Sequence, residues 1–510
     1  MIVGALVTTT APVWVSQSAA WSDGAGVARK PASPTPLLSL RRVPWWLAQT
    51  AAQQRLDAQL ETIAGASLGS GIGASGCLEV SQGDQVIFDG NGSDMFIPAS
   101  NLKILTAIAV LDRLGGSTKF VTSVRATGPA GGGVVAGNLY LVGGGDPDLR
   151  TSSYGGGTSA PGATFTSLDA LALQVREAGI SEVTGSVIGD ESRFDSQRIV
   201  ASWKPVYTSE GDVGPLSALD VNDGFVPNPS TTTTKPGQVS GPNGSVAPRP
   251  TAGTATGSPT TETSNSAQLA YAAATDPAAQ AAQVFTALLR KDGVRVDGGS
   301  RTGKTPASAR LVTSMDSAPL AAEVDQMLSV SDDTAAELFT KELGYQESGS
   351  GTTRAGTAAI RADLVSDGLP VDQLVAVDGS GLDRGDRVSC DLLVQALQHE
   401  GPTSTLAKGL PVAGKSGTLS GQMIGTPAEG RVVAKSGTLD NVVSLSGFVL
   451  PAPGTPEFPA LGQPLVFSLI LNGPPDWKAN AVADQVAVAL ARYPVLPPLS
   501  DLEPGSVPGP

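Results

Sequence analysis

Residues 98–114 constrain this chain more than any other stretch. Pro98 and Ala99 lead into an apolar run through Ile104, Leu105, Ile108, Val110, Leu111 and Leu114 that stops at Gly115-Gly116. Proline near the start and glycine past the end frame a helix. Ser100 and Lys103 stand three residues apart in its first turn, so their side chains are neighbours on one face. A hydroxyl beside an amine at the positive end of a helix is the minimal kit for a serine nucleophile with a lysine base.

Composition narrows the chemistry. The chain has 510 residues, a length that argues for two to four domains. Its 33 basic and 47 acidic residues give a net charge of −14, which speaks against a nucleic-acid partner. The single histidine, His399, excludes multi-histidine metal sites, and its place near the end of an amphipathic helix marks it as a surface residue. Two cysteines, Cys77 and Cys390, cannot build a structural zinc site alone. Hydrolytic chemistry here falls to Ser, Lys, Asp or Glu, with no metal and no cofactor.

Residues 1–21 are moderately apolar, lack charge before Asp23 and end in a small-residue run. They resemble a signal peptide or anchor without its basic start, followed to residue 46 by a Pro- and Ser-rich linker. A helical pattern starts at Trp45, and residues 77–80 and 85–88 read as a hairpin. Strands are expected at 120–126, 134–142 and 182–188, with a helix at 168–178. The glycines at 143–145 make a tight loop rather than a phosphate loop, because no Gly-Lys-Ser/Thr follows. Residues 226–264 hold almost no large apolar side chain and read as a disordered loop, and helical periodicity returns at 267–289. Helices follow at 318–328, 333–344, 354–367 and 389–398, strands at 431–439, 442–450 and 464–472, and a last helix at 477–492. The proline-rich tail, 494–510, reads as disordered.

Two further stretches give the Ser100–Lys103 pair its context. Lys435-Ser436-Gly437-Thr438 lies on the strand 431–439, where Gly437 lets a ligand backbone approach closely. Ser331-Asp332-Asp333 opens the helix from 333, with Ser331 or Asp332 as its N-cap. The order Ser-x-x-Lys, Ser-Asp-Asn, Lys-Thr-Gly belongs to penicillin-interacting serine enzymes. Two of the three are met here and one is met with a change.

With these motifs, residues 144–147 (Gly-Gly-Asp-Pro), 378–382 (Asp-Gly-Ser-Gly-Leu) and 410–414 (Leu-Pro-Val-Ala-Gly), the chain resembles the DacB-type D-alanyl-D-alanine carboxypeptidase/endopeptidases, the low-molecular-mass class C penicillin-binding proteins. The resemblance covers about residues 50–493. It implies a mixed α/β (α+β) fold: a transpeptidase/β-lactamase-like α/β/α sandwich with an antiparallel sheet. This catalytic domain would comprise 47–117 and 305–493, split by an inserted α+β region at 118–304. It also implies an extracytoplasmic serine enzyme acting on peptidoglycan stem peptides, acylated by β-lactams, and associated with membrane or cell wall through its amino end. Ser100 would be the nucleophile, Lys103 its base and Ser331 a proton relay. Lys435 would supply a positive field, and with Ser436, Gly437 and Thr438 hold the substrate carboxylate. The backbone N–H groups of Ser100 and Thr438 would form the oxyanion hole.

Three features stand outside the family pattern or leave alternatives. Lys415-Ser416-Gly417-Thr418-Leu419 duplicates Lys435-Ser436-Gly437-Thr438-Leu439, and its glycine-rich setting marks it as the non-catalytic copy. Asp333 stands where the family has Asn. A carboxylate there can only accept when ionised, and it stabilises the ammonium form of Lys103. An alternative reading is therefore a catalytically weakened penicillin-binding or cell-wall scaffold protein; a β-lactamase fits the large insertion poorly. Cys77 and Cys390 are either a disulfide of an oxidising compartment or two buried single thiols.

Overall fold

The computed structural model describes residues 45–68, 75–128, 130–154, 165–227, 271–453 and 463–494. The expected leader and linker at 1–46, the expected disordered loop at 226–264 and the tail at 494–510 lie outside them, apart from residues 45, 46, 226, 227 and 494.

One antiparallel five-stranded sheet organises the fold. Its order is Val432–Leu439, Val442–Val449, Leu465–Asn472, Ser75–Gln82, Gln85–Gly90, so carboxy-terminal strands pair directly with the amino-terminal hairpin. The central strand alternates faces as a two-residue period requires. Leu469 and Leu471 join one apolar cluster with Leu56, Leu60, Val486 and Leu490 of the helices Trp45–Leu68 and Asp476–Arg492. Ile470, between them, joins the other cluster with Ile104, Ile108, Leu393 and Leu397 of the helices Leu102–Leu114 and Cys390–Glu400. Helices on both faces of one antiparallel sheet make the α/β/α sandwich.

Cys77, in the strand Ser75–Gln82, and Cys390, the first residue of the helix Cys390–Glu400, are joined in a disulfide with their Cα atoms 6.0 Å apart. Of the two readings of these cysteines, the structure takes the bridge. It clamps that helix onto the sheet. Cys77→Ala with Cys390→Ala is expected to lower unfolding stability by about 2–4 kcal/mol, the usual cost of losing a native disulfide. Guanidinium denaturation measures it, and an unchanged midpoint would refute a structural role.

Between the two halves of this sheet, residues 121–316 build two smaller sheets of their own. One runs in the order Ser300–Thr302, Val187–Asp190, Leu139–Val142, Val121–Ala126, Arg310–Asp316; the other runs Arg295–Val296, Glu182–Val183, Val134–Val135, Ala130–Gly131. The strand Arg310–Asp316 lies beyond the expected boundary at 304, and its pairing with Val121–Ala126 carries it into the inserted sheet. The single strands expected at 134–142 and 182–188 are each two strands in different sheets. The chain steps between sheets at Gly137 and Gly185, where a Cβ on Gly185 would lie 2.5 Å from the Gly137 carbonyl. The helix expected from 267 starts only at Pro277, capped by Asp276, because residues 271–273 pair instead with Phe225–Pro227. No helix among the described residues is long and apolar enough to cross a membrane.

Candidate active site

The helix Leu102–Leu114 is entered through a single 3-10 turn, Ala99–Asn101, and this turn presents Ser100. Ala99 adopts a left-handed conformation, φ 48°, uncommon for a residue with a side chain. Two glycines crowd the turn from either side. A Cβ on Gly381 would lie 2.0 Å from the Ala99 carbonyl, and one on Gly437 would lie 2.8 Å from the Ser100 amide nitrogen. The Pro98 carbonyl accepts from the Ser444 hydroxyl at 2.6 Å, and Asn101 Nδ2 donates to Ser446 at 2.7 Å. The turn is thereby held against the sheet edge that carries residues 435–438.

Lys103 is fully buried, and its ammonium group reaches three acceptors: Ser100 Oγ at 3.1 Å, Asp333 Oδ1 at 2.5 Å and the Ser380 carbonyl at 2.8 Å. Burial pushes the Asp333 carboxyl above its ordinary range, with Lys103 only partly opposing it. The loop carrying Ser380 is itself fixed from below. Glu337 accepts from the amides of Gly379 and Ser380 at 2.9 and 2.8 Å, and Thr106 donates to the Gly379 carbonyl at 2.7 Å. Buried and close to Asp378, Glu337 is pushed up to about 8. Asp378 closes the same loop through the amides of Gly381 and Asp383, and accepts from the Trp203 indole at 2.8 Å.

Lys435 is also fully buried. It donates to Ser331 Oγ at 2.8 Å and to the Ser436 carbonyl at 2.7 Å. Burial, then the neighbouring charge of Lys103, push Lys435 well below the usual lysine range, with Asp333 opposing. Ser331 sits between two helices, Leu320–Val330 and Asp333–Ser348, in a left-handed conformation, φ 64°. Asp332, not Ser331, caps the second helix by accepting from the Ala335 amide. This division leaves the Ser331 hydroxyl to Lys435. Ser331 and Ser436 are half-buried and Thr438 is exposed, so these three line an open rim above the two buried amines.

All eight residues singled out in the sequence therefore fall in one place: Ser100, Lys103, Ser331, Asp333, Lys435, Ser436, Gly437 and Thr438. The copy at 415–419 behaves differently. Lys415 is exposed and pairs with Glu429 at 2.6 Å, away from Ser100. The inserted region also reaches the site. Gly214 donates to Thr334 at 2.9 Å, and the half-buried Asp212 is pushed up to about 7 by burial, with Asp333 and Glu210 adding to the effect. No sequence pattern marked Asp212 or Trp203. Ser380 lay inside the Asp-Gly-Ser-Gly-Leu stretch, but its carbonyl, not its side chain, makes the contact.

The model of the D-Ala-D-Ala carboxypeptidase 3 (S13) family matches residues 56–270 and 254–493, most of the chain. The chain belongs to that family. Among similar proteins, a D-alanyl-D-alanine carboxypeptidase of Actinomadura sp. (strain R39) is 33% identical over 485 residues, covering 87% of this chain and 85% of the relative. The D-alanyl-D-alanine carboxypeptidase DacB of Haemophilus influenzae is 24% identical over 404 residues, 73% of this chain and 81% of the relative. The crystal structure of penicillin binding protein 4 (dacB) from Haemophilus influenzae superposes with a TM-score of 0.66 at 23% identity, covering 84% of this chain and 98% of that one. The two chains thus share a fold over nearly the whole length of that protein.

Proposed function

We propose that this chain is a serine D-Ala-D-Ala carboxypeptidase/endopeptidase acting outside the membrane on peptidoglycan stem peptides, and that β-lactams acylate the same serine. The observation that carries the reading is the contact of Ser100 Oγ with a fully buried lysine amine at 3.1 Å, beside a second buried amine, Lys435. Membership of the S13 family supports the substrate class.

In this reading Ser100 Oγ attacks the carbonyl carbon between two D-alanines while its proton passes to Lys103 Nζ. The backbone N–H groups of Ser100 and Thr438 stabilise the resulting oxyanion. As the C–N bond breaks, Ser331 hands its proton to the leaving amine and takes one back from Lys435, to which it is hydrogen-bonded. The proton that Lys103 took from Ser100 makes good that loss. D-Alanine departs, leaving an ester on Ser100 that water hydrolyses, the hydroxyl going to the acyl carbon and the remaining proton to Ser100 Oγ.

The edge strand gives the substrate a place to lie. Residues 411–413 pair with its first half, from Val432 to Ala434, and among the described residues that pairing stops there. The edge from Lys435 to Thr438 is where an extended peptide adds itself as a strand, its terminal carboxylate meeting Ser436 and Thr438. Lys435, beneath them, supplies positive charge when protonated.

The decisive experiment combines two measurements on the intact protein. Mass spectrometry after penicillin treatment is expected to find one penicilloyl adduct, mapped to the peptide holding Ser100. D-Alanine is expected to be released from a muropeptide ending in D-Ala-D-Ala. An adduct on another residue, or none, overturns the proposed nucleophile. An adduct without D-alanine release overturns the hydrolase reading and leaves a penicillin-binding protein only.

A further inference from the structure

The duplicated motif at 415–419 has no part in the chemistry above, yet one of its side chains touches the site. Thr418 Oγ1 lies 2.7 Å from Ser436 Oγ. We propose that Thr418 is a positioning residue: it orients the Ser436 hydroxyl to bind the substrate's terminal carboxylate. The inference rests on the acyl-transfer reading of this site and assigns the non-catalytic copy a role within it.

The turn that carries Thr418 is seated firmly. Gly417–Leu419 form a 3-10 turn, and Gly417 has φ 57°. A Cβ at Gly417 would lie 2.4 Å from the Ser329 carbonyl, so the turn presses against the last turn of the helix that precedes Ser331. The segment before it is stitched to the edge strand by Ala413 donating to Val432 at 2.9 Å and Ala434 donating to Pro411 at 2.9 Å. Leu419 is buried in the apolar cluster behind the sheet, and its carbonyl accepts from Gly414 at 2.9 Å. Half-buried Thr418 thus projects from a backbone anchored both to the substrate-facing strand and to the Ser331 helix.

Hydrogen counting gives the contact its direction. A serine hydroxyl has one proton and two acceptor sites. The Ser436 backbone carbonyl is already engaged by Lys435 at 2.7 Å. For Ser436 to donate to a carboxylate in the cleft, its oxygen must act as acceptor toward Thr418, which then donates. A hydroxyl that both accepts and donates is also a stronger donor, because hydrogen-bonded chains polarise one another. Without Thr418 the Ser436 hydroxyl can turn to other acceptors, and the carboxylate loses an oriented partner.

The test uses the full chain and two peptides of one sequence ending in D-Ala-D-Ala, one with a free carboxylate and one a terminal carboxamide. In Thr418→Val, KM for the carboxylate peptide is expected to rise about tenfold, the scale of one hydrogen bond to a charged group, while kcat stays within about twofold. Thr418→Ser should restore the wild-type KM, and neither variant should alter KM for the carboxamide. In a Ser436→Ala background, adding Thr418→Val should change nothing further. Equal losses on both peptides, or additive losses in the double variant, overturn the assignment. Should Thr418→Val fail to fold, Thr418→Ala takes its place with the same outcomes. Failure of the wild-type protein to form an adduct or release D-alanine would instead sink the reading of the whole site, and Thr418 with it.

Discussion

Ser100→Ala is expected to abolish the penicilloyl adduct and to cut D-alanine release by at least about 10⁴-fold, the scale on which losing a catalytic nucleophile is felt. The other hydroxyls near the buried amines are committed elsewhere. Ser331 accepts from Lys435, Ser436 meets Thr418, and Ser444 donates to the Pro98 carbonyl. Among the described hydroxyl groups, Ser100 is the one in hydrogen-bond contact with Lys103. The substitution removes one oxygen and keeps the Cβ, so the turn Ala99–Asn101 retains its fit against Gly381 and Gly437. An unchanged melting temperature with no adduct is the expected pair of results. A residual adduct on the variant would show that a second nucleophile operates.

Asp333→Asn is expected to speed acylation on the acidic side of the pH profile by about ten- to a thousandfold, because an opposite charge at close range shifts a titration by about 1–3 units. The sign follows from the contact. Asp333 Oδ1 lies 2.5 Å from Lys103 Nζ, and an ionised carboxylate there stabilises the ammonium form. An ammonium cannot take a proton from Ser100. Burial raises the Asp333 carboxyl, so its negative charge is lost as pH falls through that raised value. Over the range where Asp333 is ionised, its charge beside Lys103 works against proton transfer from Ser100. An amide accepts from Lys103 without adding charge, and the acidic limb moves to lower pH. Acylation by a fluorescent penicillin, measured from pH 5 to 9, reads this directly. Superimposable profiles for the two proteins would refute it.

Much of this arrangement could be read from residue order alone, for identifiable reasons. The strands ending at Leu439, Val449 and Asn472 are apolar runs bounded by turn residues, and they fell within a residue or so of expectation. The helix Leu102–Leu114 carries proline before it and glycine after it, both local signals. The eight candidate residues could be picked out because each lies in a short motif. What stayed hidden depends on backbone atoms and distant partners. Nothing in Asp378–Asp383 says that the Ser380 carbonyl faces Lys103, since every residue has a carbonyl. The split of 134–142 into two strands needed the Gly137–Gly185 approach, which joins residues far apart in sequence. Thr418 was visible only as part of a duplicate, and pattern alone could not show that it turns toward Ser436.

The sheet order carries a consequence for folding. The strand Ser75–Gln82 is sandwiched between its hairpin partner and Leu465–Asn472, and the bridge from Cys77 closes on Cys390. The amino-terminal hairpin therefore waits, one edge unpaired, until almost the entire chain has been made. Contacts of such sequence separation are slow to form, and they expose strand edges to aggregation meanwhile. Ser100 and Lys435 lie on opposite sides of that long-range pairing, so the candidate site is expected to assemble only after the carboxy-terminal strands have joined the sheet.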